Sequence, residues 1–133
     1  MATFCVDNGL DITTAALVAL TTTEPLNIGW GTAAGTTVAT DTTLFTERDV
    51  DLVSTTGSRT AGTGVQATTS TTDDSYQVTG TRTATGAGTV TNAGLFDNAT
   101  IGSGGMYMKG DFTGIGLASG DAIAFTFKVQ YTN

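Results

Sequence analysis

The chain lacks histidine altogether and has a single cysteine, which removes most of the common catalytic and metal-binding chemistry. Without histidine, no Ser-His-Asp or Cys-His nucleophilic site can form, and most zinc sites lose a usual ligand. Cys5 cannot form an intrachain disulfide by itself, which predicts that the chain is made and folds in a reducing cytosol. We interpret Cys5 as a small buried apolar residue rather than as a nucleophile.

Positive charge is scarce as well. Five basic and twelve acidic residues give a formal net charge of −7, and the basic residues are scattered along the sequence. Binding to nucleic acid or to an anionic membrane requires clustered basic side chains, so we expect neither partner. The basic residues are Arg48, Arg59, Arg82, Lys109 and Lys128.

Long apolar runs are missing too. The longest, Ala15–Leu20, is far too short to cross a bilayer. No basic region precedes it, so we expect no signal peptide.

Threonine and glycine are abundant instead. Threonine makes up nearly a quarter of the 133 residues and there are 18 glycines, whereas only 39% of residues are apolar and 13% are charged. Threonine favours strands and glycine serves turns, and a chain of this length predicts one domain with a single core. Ser54–Gly64 has almost no apolar anchor, and it is the one part of the body where we expect disorder.

One helix is predicted near the N-terminus, in a segment 1–25 that precedes a β-sandwich body over 26–133. Either Asn8 or Asp11 is placed to cap its first turn. Thr21–Thr23 and Pro25 are expected to end it, because proline disfavours helical conformation in the residue before it. The apolar stripe consists of Ile12, Ala15, Ala16, Leu17 and Leu20.

The remaining sequence predicts short strands separated by glycine, asparagine and aspartate. The last of them alternates most clearly between apolar and small polar residues, which places one set in the core and the other outside. The core set is Ile123, Phe125, Phe127, Val129 and Tyr131, and the outer set is Ala122, Ala124, Thr126, Lys128 and Gln130. The predicted strands are Leu26–Trp30, Leu44–Val53, Val65–Thr71 near a sheet edge, Tyr76–Thr85, Thr89–Phe96, Met106–Phe112 and Ala122–Tyr131.

Seven or eight short strands at this spacing are typical of an all-β sandwich. The paired cysteines around a tryptophan that mark immunoglobulin domains are missing from the sequence. We therefore predict a single-domain, jelly-roll-like sandwich with one short N-terminal helix.

Acidic residues are the remaining candidates for catalysis, since a pair of carboxylates can hydrolyse a glycosidic bond. All of them lie at predicted turns or on polar strand faces, so we interpret them as solvated turn formers. Asp73-Asp74-Ser75 or Asp97-Asn98 could contribute to a calcium site, but the spacing of an EF-hand is absent. We assign no catalytic, cofactor-binding or metal-binding residue. The carboxylates considered are Asp49 with Asp51, Asp73 with Asp74, Asp97 and Asp111.

Two further patterns have a structural interpretation. Gly114–Gly120 is rich in glycine like a nucleotide-binding loop, but a strand follows where a helix is needed, so we predict a plain loop. The aromatic residues are spread over many strands, which favours core packing over a platform for stacking sugars. These aromatics are Trp30, Phe45, Tyr76, Phe96, Tyr107, Phe112, Phe125 and Phe127.

The threonine-rich strands are expected to present a hydroxyl surface with few charges. Another protein can cover such a surface without the cost of burying ions, and the cores of interfaces are likewise depleted of charge. This pattern favours packing against copies of the same chain or onto a larger assembly.

Several short segments follow one another along nearly the whole chain: Asn8–Asp11, Ile28–Thr32, Asp41–Leu44 with Glu47, Tyr76–Thr81, Ala93–Asp97, and Ser119–Asp121 leading into Phe125–Phe127. Taken in this order, they resemble small virion structural proteins of tailed bacteriophages, particularly cyanophage-like ones.

The resemblance implies a non-enzymatic particle protein that needs no cofactor. In one role it is a capsid cement or decoration protein, a jelly-roll homotrimer that binds the lattice of the major capsid protein and stabilises the head. It would lie on the outer surface of the capsid, and in the host cytoplasm before assembly. We expect Met1–Leu20 to contact the capsid or a neighbouring copy, because its short apolar stripe would gain from a partner surface.

The main alternative is a tail, fibre or neck component of the particle. A carbohydrate-binding surface module is an alternative from another class, and a glycosidase ranks last.

Overall fold

The computed structural model describes residues 3–18 and 23–132. Within them, one helix, α1 (Asp7–Leu17), accompanies nine strands, and every strand pairing is antiparallel. No helix in this part of the chain has the length and apolar character needed to cross a membrane. The strands are β1 (Thr3–Cys5), β2 (Asn27–Gly31), β3 (Glu47–Arg48), β4 (Thr60–Ala61), β5 (Thr63–Ala67), β6 (Ser75–Thr83), β7 (Gly88–Phe96), β8 (Met106–Leu117) and β9 (Ala122–Gln130).

The strands form two sheets. The larger has the order β1-β8-β7-β2, and β3 and β4 share the outer edge of β2. The smaller has the order β5-β6-β9. The described chain is therefore mostly β-sheet, in two sheets with one short helix, which agrees with the expected all-β class.

A single residue, Gly62, joins the two sheets where the chain passes from β4 to β5. A Cβ at this position would lie 2.7 Å from Cγ1 of Val78 and 2.8 Å from the carbonyl oxygen of Thr79. Such distances are too short for a side chain, so the close approach of the two sheets at this corner requires glycine.

The main core forms where side chains of both sheets pack together. Ile28 and Leu95 of the larger sheet meet Val78 and Phe127 of the smaller one, and all four are buried. A second cluster contains Trp30, Leu52, Ala84, Val90 and Leu117. Burial of these side chains is the main source of the fold's stability.

The last strand follows its predicted alternation with one exception. Phe127 is buried, and Ile123, Phe125 and Val129 are half-buried against the core. Tyr131 is 51% exposed, so its assignment to the core was wrong. It lies just beyond the end of β9, where its hydroxyl is 2.5 Å from the hydroxyl of Tyr107 in β8.

A second layer covers the outer face of the larger sheet. Residues 32–46, which contain no helix or strand, are held there by buried polar side chains. The side chain of Asn92 accepts the N–H of Phe45 at 3.0 Å and donates to the carbonyl oxygens of Ala33 and Phe45. Leu44 adds apolar contact with Val6, Phe96 and Met106. Both faces of the larger sheet are therefore buried where β2 pairs with β7, which the sequence did not predict.

The helix begins earlier than predicted. Its N-cap is Val6, not Asn8 or Asp11, and no side chain caps it. Val6 is fully buried and its N–H donates to the carbonyl oxygen of Tyr107, so a tertiary contact fixes where the helix starts. Leu20 and Thr21–Thr22, assigned to the stripe and to its end, lie outside the described residues.

Two strand boundaries also differ from the prediction. The strand expected over Leu44–Val53 is reduced to β3, because the carboxylate of Asp51 accepts the N–H groups of Val53 and Ser54 and forms a turn. Gly114–Leu117 belongs to β8, where it pairs with the start of β7 instead of forming a loop. Propensity alone cannot show that a partner strand is present.

Ser54–Gly64 has a defined conformation, contrary to the expected disorder. Its anchor is polar: the Arg59 side chain donates to both carboxylate oxygens of Glu47 and to the carbonyl oxygens of Asn98 and Ser103. The scarcity of apolar residues did not predict this anchor, because Arg59 is buried although it is charged.

Candidate functional site

The carboxylates considered for catalysis serve the backbone instead. Asp97 accepts the N–H of Gly105 at 2.6 Å, and Asp111 accepts the N–H of Thr37 at 2.8 Å. Hydrogen bonds from the hydroxyl and N–H of Ser54, then from the N–H of Val53, hold the pKa of Asp51 below its ordinary value. Asp51 and Asp97 thus hold turns or loops, as interpreted, whereas Asp111 lies within β8 and ties residues 32–46 to that strand.

Asp74 is the clearest example. Its two carboxylate oxygens accept the N–H groups of Thr69, Ser70 and Thr71 in the turn before β6. The N–H of Thr71 is the largest cause that keeps the pKa of Asp74 far below its usual range, although partial burial acts in the opposite direction. Asp74 therefore stays ionised and orders this turn.

No metal centre can be built from the described side chains. Among residues 3–18 and 23–132, no three His, Cys, Asp or Glu side chains lie close enough to hold an ion together. Cys5 is half-buried against the main core, and burial raises the pKa of its thiol.

Most aromatic side chains pack in the core, as predicted. Trp30, Phe96, Tyr107 and Phe127 are buried, and the remaining four of the predicted set are half-buried.

Three tyrosines line an apolar groove of about 500 Å³ beside α1. The hydroxyl of Tyr76 donates to Oε1 of Glu24 at 3.0 Å, and the hydroxyls of Tyr107 and Tyr131 lie 2.5 Å apart. Burial, followed by the contact with Glu24, raises the pKa of Tyr76 well above its ordinary value. The phenol that Tyr76 presents to the groove is therefore neutral.

The outer face of the smaller sheet is a regular surface that the second layer leaves open. Its outward side chains come from all three strands, and we call it the threonine face. It consists of Thr63, Val65, Gln77, Thr79, Thr81, Thr83, Ala122, Ala124, Thr126 and Lys128. The register places Thr63, Thr79 and Thr126 side by side in one row across the sheet.

The threonine face carries one charge, Lys128, and none of the twelve acidic residues of the chain. Small hydroxyl and methyl groups need little desolvation compared with ions. This face can thus be covered by another macromolecule at low cost.

Helix α1 adds an exposed apolar patch. Leu10 is 58% exposed, Leu17 is 81% exposed and Val18 is 68% exposed. Leu10 and Leu17 are two turns apart and so lie on the same side of the helix. They belong to the N-terminal segment expected to contact a partner.

Three of the five basic side chains are buried, which the sequence analysis missed. Arg59 lies over the ring of Phe96, Arg82 over Trp30 and Lys109 over Phe45. Each also meets a carboxylate: Glu47, Asp49 and Asp41 respectively. One signal was available, since Arg82 shares the inward parity of Val78 and Ala84 in the predicted strand.

The threonine face and the exposed side of α1 are therefore the two surfaces best suited to contact with another macromolecule. The threonine face is low in charge, whereas the exposed side of α1 carries Asp7 beside Leu10, and neither surface brings together a set of reacting groups. Comparisons of the chain with protein-family models, with curated proteins and with solved structures gave no match.

Proposed function

We propose that the protein is a non-enzymatic structural component of a tailed-bacteriophage virion. In the favoured role it is a capsid cement or decoration protein that binds the lattice of the major capsid protein as an oligomer, with a homotrimer expected, and stabilises the head. A jelly-roll-like path of the chain through the two sheets belongs to this proposal, as does a position on the outer surface of the capsid.

The threonine face is the observation that carries the proposal. A decoration protein must cover a large area of a neighbour, and interface cores are depleted of charge. Here an acidic chain reserves one regular, nearly uncharged face, formed by three strands and left open by the second layer. Symmetric oligomers would present several such faces at once, so modest contacts at each site add up to firm retention.

The exposed side of α1 supports a second contact. Leu10 and Leu17 expose apolar surface that a soluble domain gains little from leaving in water. Deleting Met1–Leu20 would also remove β1 and the buried Val6, so point variants at Leu10 and Leu17 test this contact more sharply.

Electron microscopy of the particles that incorporate this chain tests the proposal. Density for the two-sheet domain at threefold positions of the capsid lattice is the expected result. Density on the tail or neck would instead assign the alternative role, as a tail, fibre or neck component. Absence of the chain from purified particles would overturn both roles.

Binding of purified protein to undecorated capsids provides a second test. Thr81→Glu places a carboxylate in the middle of the threonine face, and we expect it to reduce capsid binding at least tenfold. Thr89→Glu is the matched control, because Thr89 is an exposed threonine of β7 in the other sheet. Equal binding by both variants would remove the threonine face from the proposal.

A carbohydrate-binding surface module is the second candidate, favoured by the tyrosine-lined groove. Tyr131 is half-exposed at its rim and could stack against a sugar ring. Binding to a glycan array that is lost in Tyr131→Ala and retained in Tyr131→Phe would support this role over the virion role.

A further inference from the structure

The edge strands of the two sheets differ greatly in length. Strand β1 has three residues, β3 and β4 have two each, and β5 has five, whereas β9 has nine. Within the described residues, β9 pairs only with β6. It is therefore the longest of the described edge strands and is open along its whole length, whereas the longer β8 is covered by β1 from Met108 to Gly110 and, within the described residues, is open on that side beyond Gly110.

Native proteins protect open edges with short strands, prolines, bulges or charges, because an unprotected edge pairs with other chains. Strand β9 contains no proline, and its pairing with β6 runs through nine residues without a shift in register. Its only charge is Lys128. By this rule, Lys128 is the one protection that β9 carries, and the rest of its edge is open to pairing.

The hydrogen bonds at both ends of β9 show which backbone groups face the open side. Tyr131 N–H donates to the carbonyl of Asp74, and Ala84 N–H donates to the carbonyl of Asp121. In an antiparallel ladder these bonds recur at every second residue, so the odd-numbered residues of β9 bond to β6. The even-numbered residues point their N–H and C=O groups outward. They are Ala122, Ala124, Thr126, Lys128 and Gln130.

An apolar opening lies beside this edge, between β9 and the larger sheet. We call it the edge slot; it has a volume of about 290 Å³. Phe112 of β8, Phe125 and Phe127 of β9, and Met108 line it. Phe112 and Phe125 are only half-buried, so the core is incompletely covered on the side where β9 lacks a neighbour.

We propose that β9 pairs with β9 of a second copy of this chain, antiparallel about a two-fold axis, joining the two small sheets into one six-stranded sheet. The register that pairs the whole strand is centred on Thr126. It places Ala124 opposite Lys128 and Phe125 opposite Phe127 of the partner. Phenylalanines of the two copies then lie side by side over the joined edge slots.

The side chains of β9 itself raise no local charge repulsion against a second copy. In this register the two Lys128 side chains lie opposite alanine, so no like charges face each other, and β9 itself contains no carboxylate to repel its counterpart in another acidic chain. The two edges are also identical in length and in the spacing of their free backbone groups, as a two-fold interface requires. The inference does not rest on the virion role.

The mass of the intact protein in solution, measured by size-exclusion chromatography with light scattering, tests the pairing. Ala124→Pro removes one outward N–H but no bond to β6, so the domain should stay folded while the edge is blocked. We expect the variant to have half the mass of the wild-type oligomer: a monomer in place of a dimer, or a homotrimer in place of a hexamer if the homotrimer of the virion proposal also forms.

The matched control is Gln66→Pro, on β5. The register of β5 with β6 places the N–H of Gln66 on the open side of the opposite edge of the same sheet. This variant should keep the wild-type mass. A wild-type chain that is monomeric at its highest soluble concentration, or an Ala124→Pro variant of unchanged mass, would overturn the proposal.

A disulfide cross-link between the two copies of β9 tests the proposed register, and it is independent of the proline variant. In the register centred on Thr126, the two copies of this residue are about 5.5 Å apart at Cα, within reach of a disulfide. Thr126→Cys in a Cys5→Ser background should form a covalent dimer under mild oxidation, whereas Thr81→Cys in the same background should not. Equal yields from the two would contradict the two-fold register.

Discussion

The ammonium group of Lys109 lies 2.8 Å from Oδ2 of Asp41, and the lysine side chain has no exposed surface. It also donates to the carbonyl oxygen of Thr43 and lies over the ring of Phe45. Burial alone would raise the pKa of Asp41, but the hydrogen bonds from Lys109 and from Val38 N–H outweigh it and lower that pKa. One buried cation thus fastens the layer 32–46 to the larger sheet.

Replacing Lys109 should therefore destabilise the protein. Lys109→Met keeps much of the side-chain volume but leaves Asp41 and the Thr43 carbonyl without their buried partner. We expect a loss of roughly 2 to 4 kcal/mol in the free energy of unfolding, measured by urea denaturation. Lys128→Met removes an exposed cation and should change stability by less than about 0.5 kcal/mol. Equal effects of the two variants would contradict the role given to Lys109.

Asn92 makes a second prediction about the same layer. Its side chain is fully buried and bonds to both the N–H and the carbonyl of Phe45. In the Asn92→Ala variant, the amide of Phe45 should lose its protection from hydrogen exchange. NMR should show this amide exchanging faster than the amides of β6. Asn98→Ala, at an exposed site, is the control and should leave the exchange rate of the Phe45 amide unchanged. If the Phe45 amide exchanges faster in the Asn98→Ala variant as well, the layer is held by other contacts.

The close approach of the sheets at Gly62 predicts that alanine substitutions at Gly62 and Gly116 change the stability of the protein differently. In Gly62→Ala the new Cβ would press on Val78 and the Thr79 carbonyl, at a cost of roughly 1 to 3 kcal/mol. Gly116→Ala should be neutral or slightly stabilising, because a Cβ at this position meets nothing within 4 Å and its backbone conformation suits any residue. Thermal unfolding of the two variants compares them directly, and a stable Gly62→Ala would show that the sheets can separate at the corner.

The lowered pKa of Asp74 predicts how the free energy of unfolding depends on pH. Its pKa is lower in the folded chain than the ordinary value of about 3.9, so its contribution is present above that pH and is lost as pH falls. Asp74→Asn should be less stable than the wild type at neutral pH, and the difference should shrink on acidification below about pH 4. Urea denaturation across this range measures it. A difference that does not vary with pH would assign the effect to packing instead of to charge.

The inward or outward orientation of a side chain could be predicted from the sequence where it depends only on the alternation along one strand. The inward parity of β6, including Arg82, and the alternation of β9 up to Val129 follow directly from a period of two residues. The turn roles of Asp51 and Asp74 also follow from local chemistry. The outward set of β9, predicted to be small and nearly neutral, supplies four of the ten residues of the threonine face.

Features that depend on distant partners were not predictable in the same way. Residues 32–46 contain no strand pattern, and their position is set by Asn92, Lys109 and Asp111, which come much later in the chain. The extension of β8 through Gly114–Leu117 needs the start of β7 as its partner. Arg59 orders its loop through Glu47, a contact that single-residue propensities do not contain.

The burial of three cations has a consequence for how the molecule meets others in solution. Arg59, Arg82 and Lys109 neutralise carboxylates inside the fold, so the basic side chains left to offset the surface acids are Arg48 and Lys128. Two copies approaching each other therefore repel at long range, and dissolved salt screens that repulsion over distances of about 10 Å at 0.1 M. Contacts through the threonine face or β9 should accordingly form faster and hold more firmly as ionic strength rises, the reverse of an association driven by opposite charges.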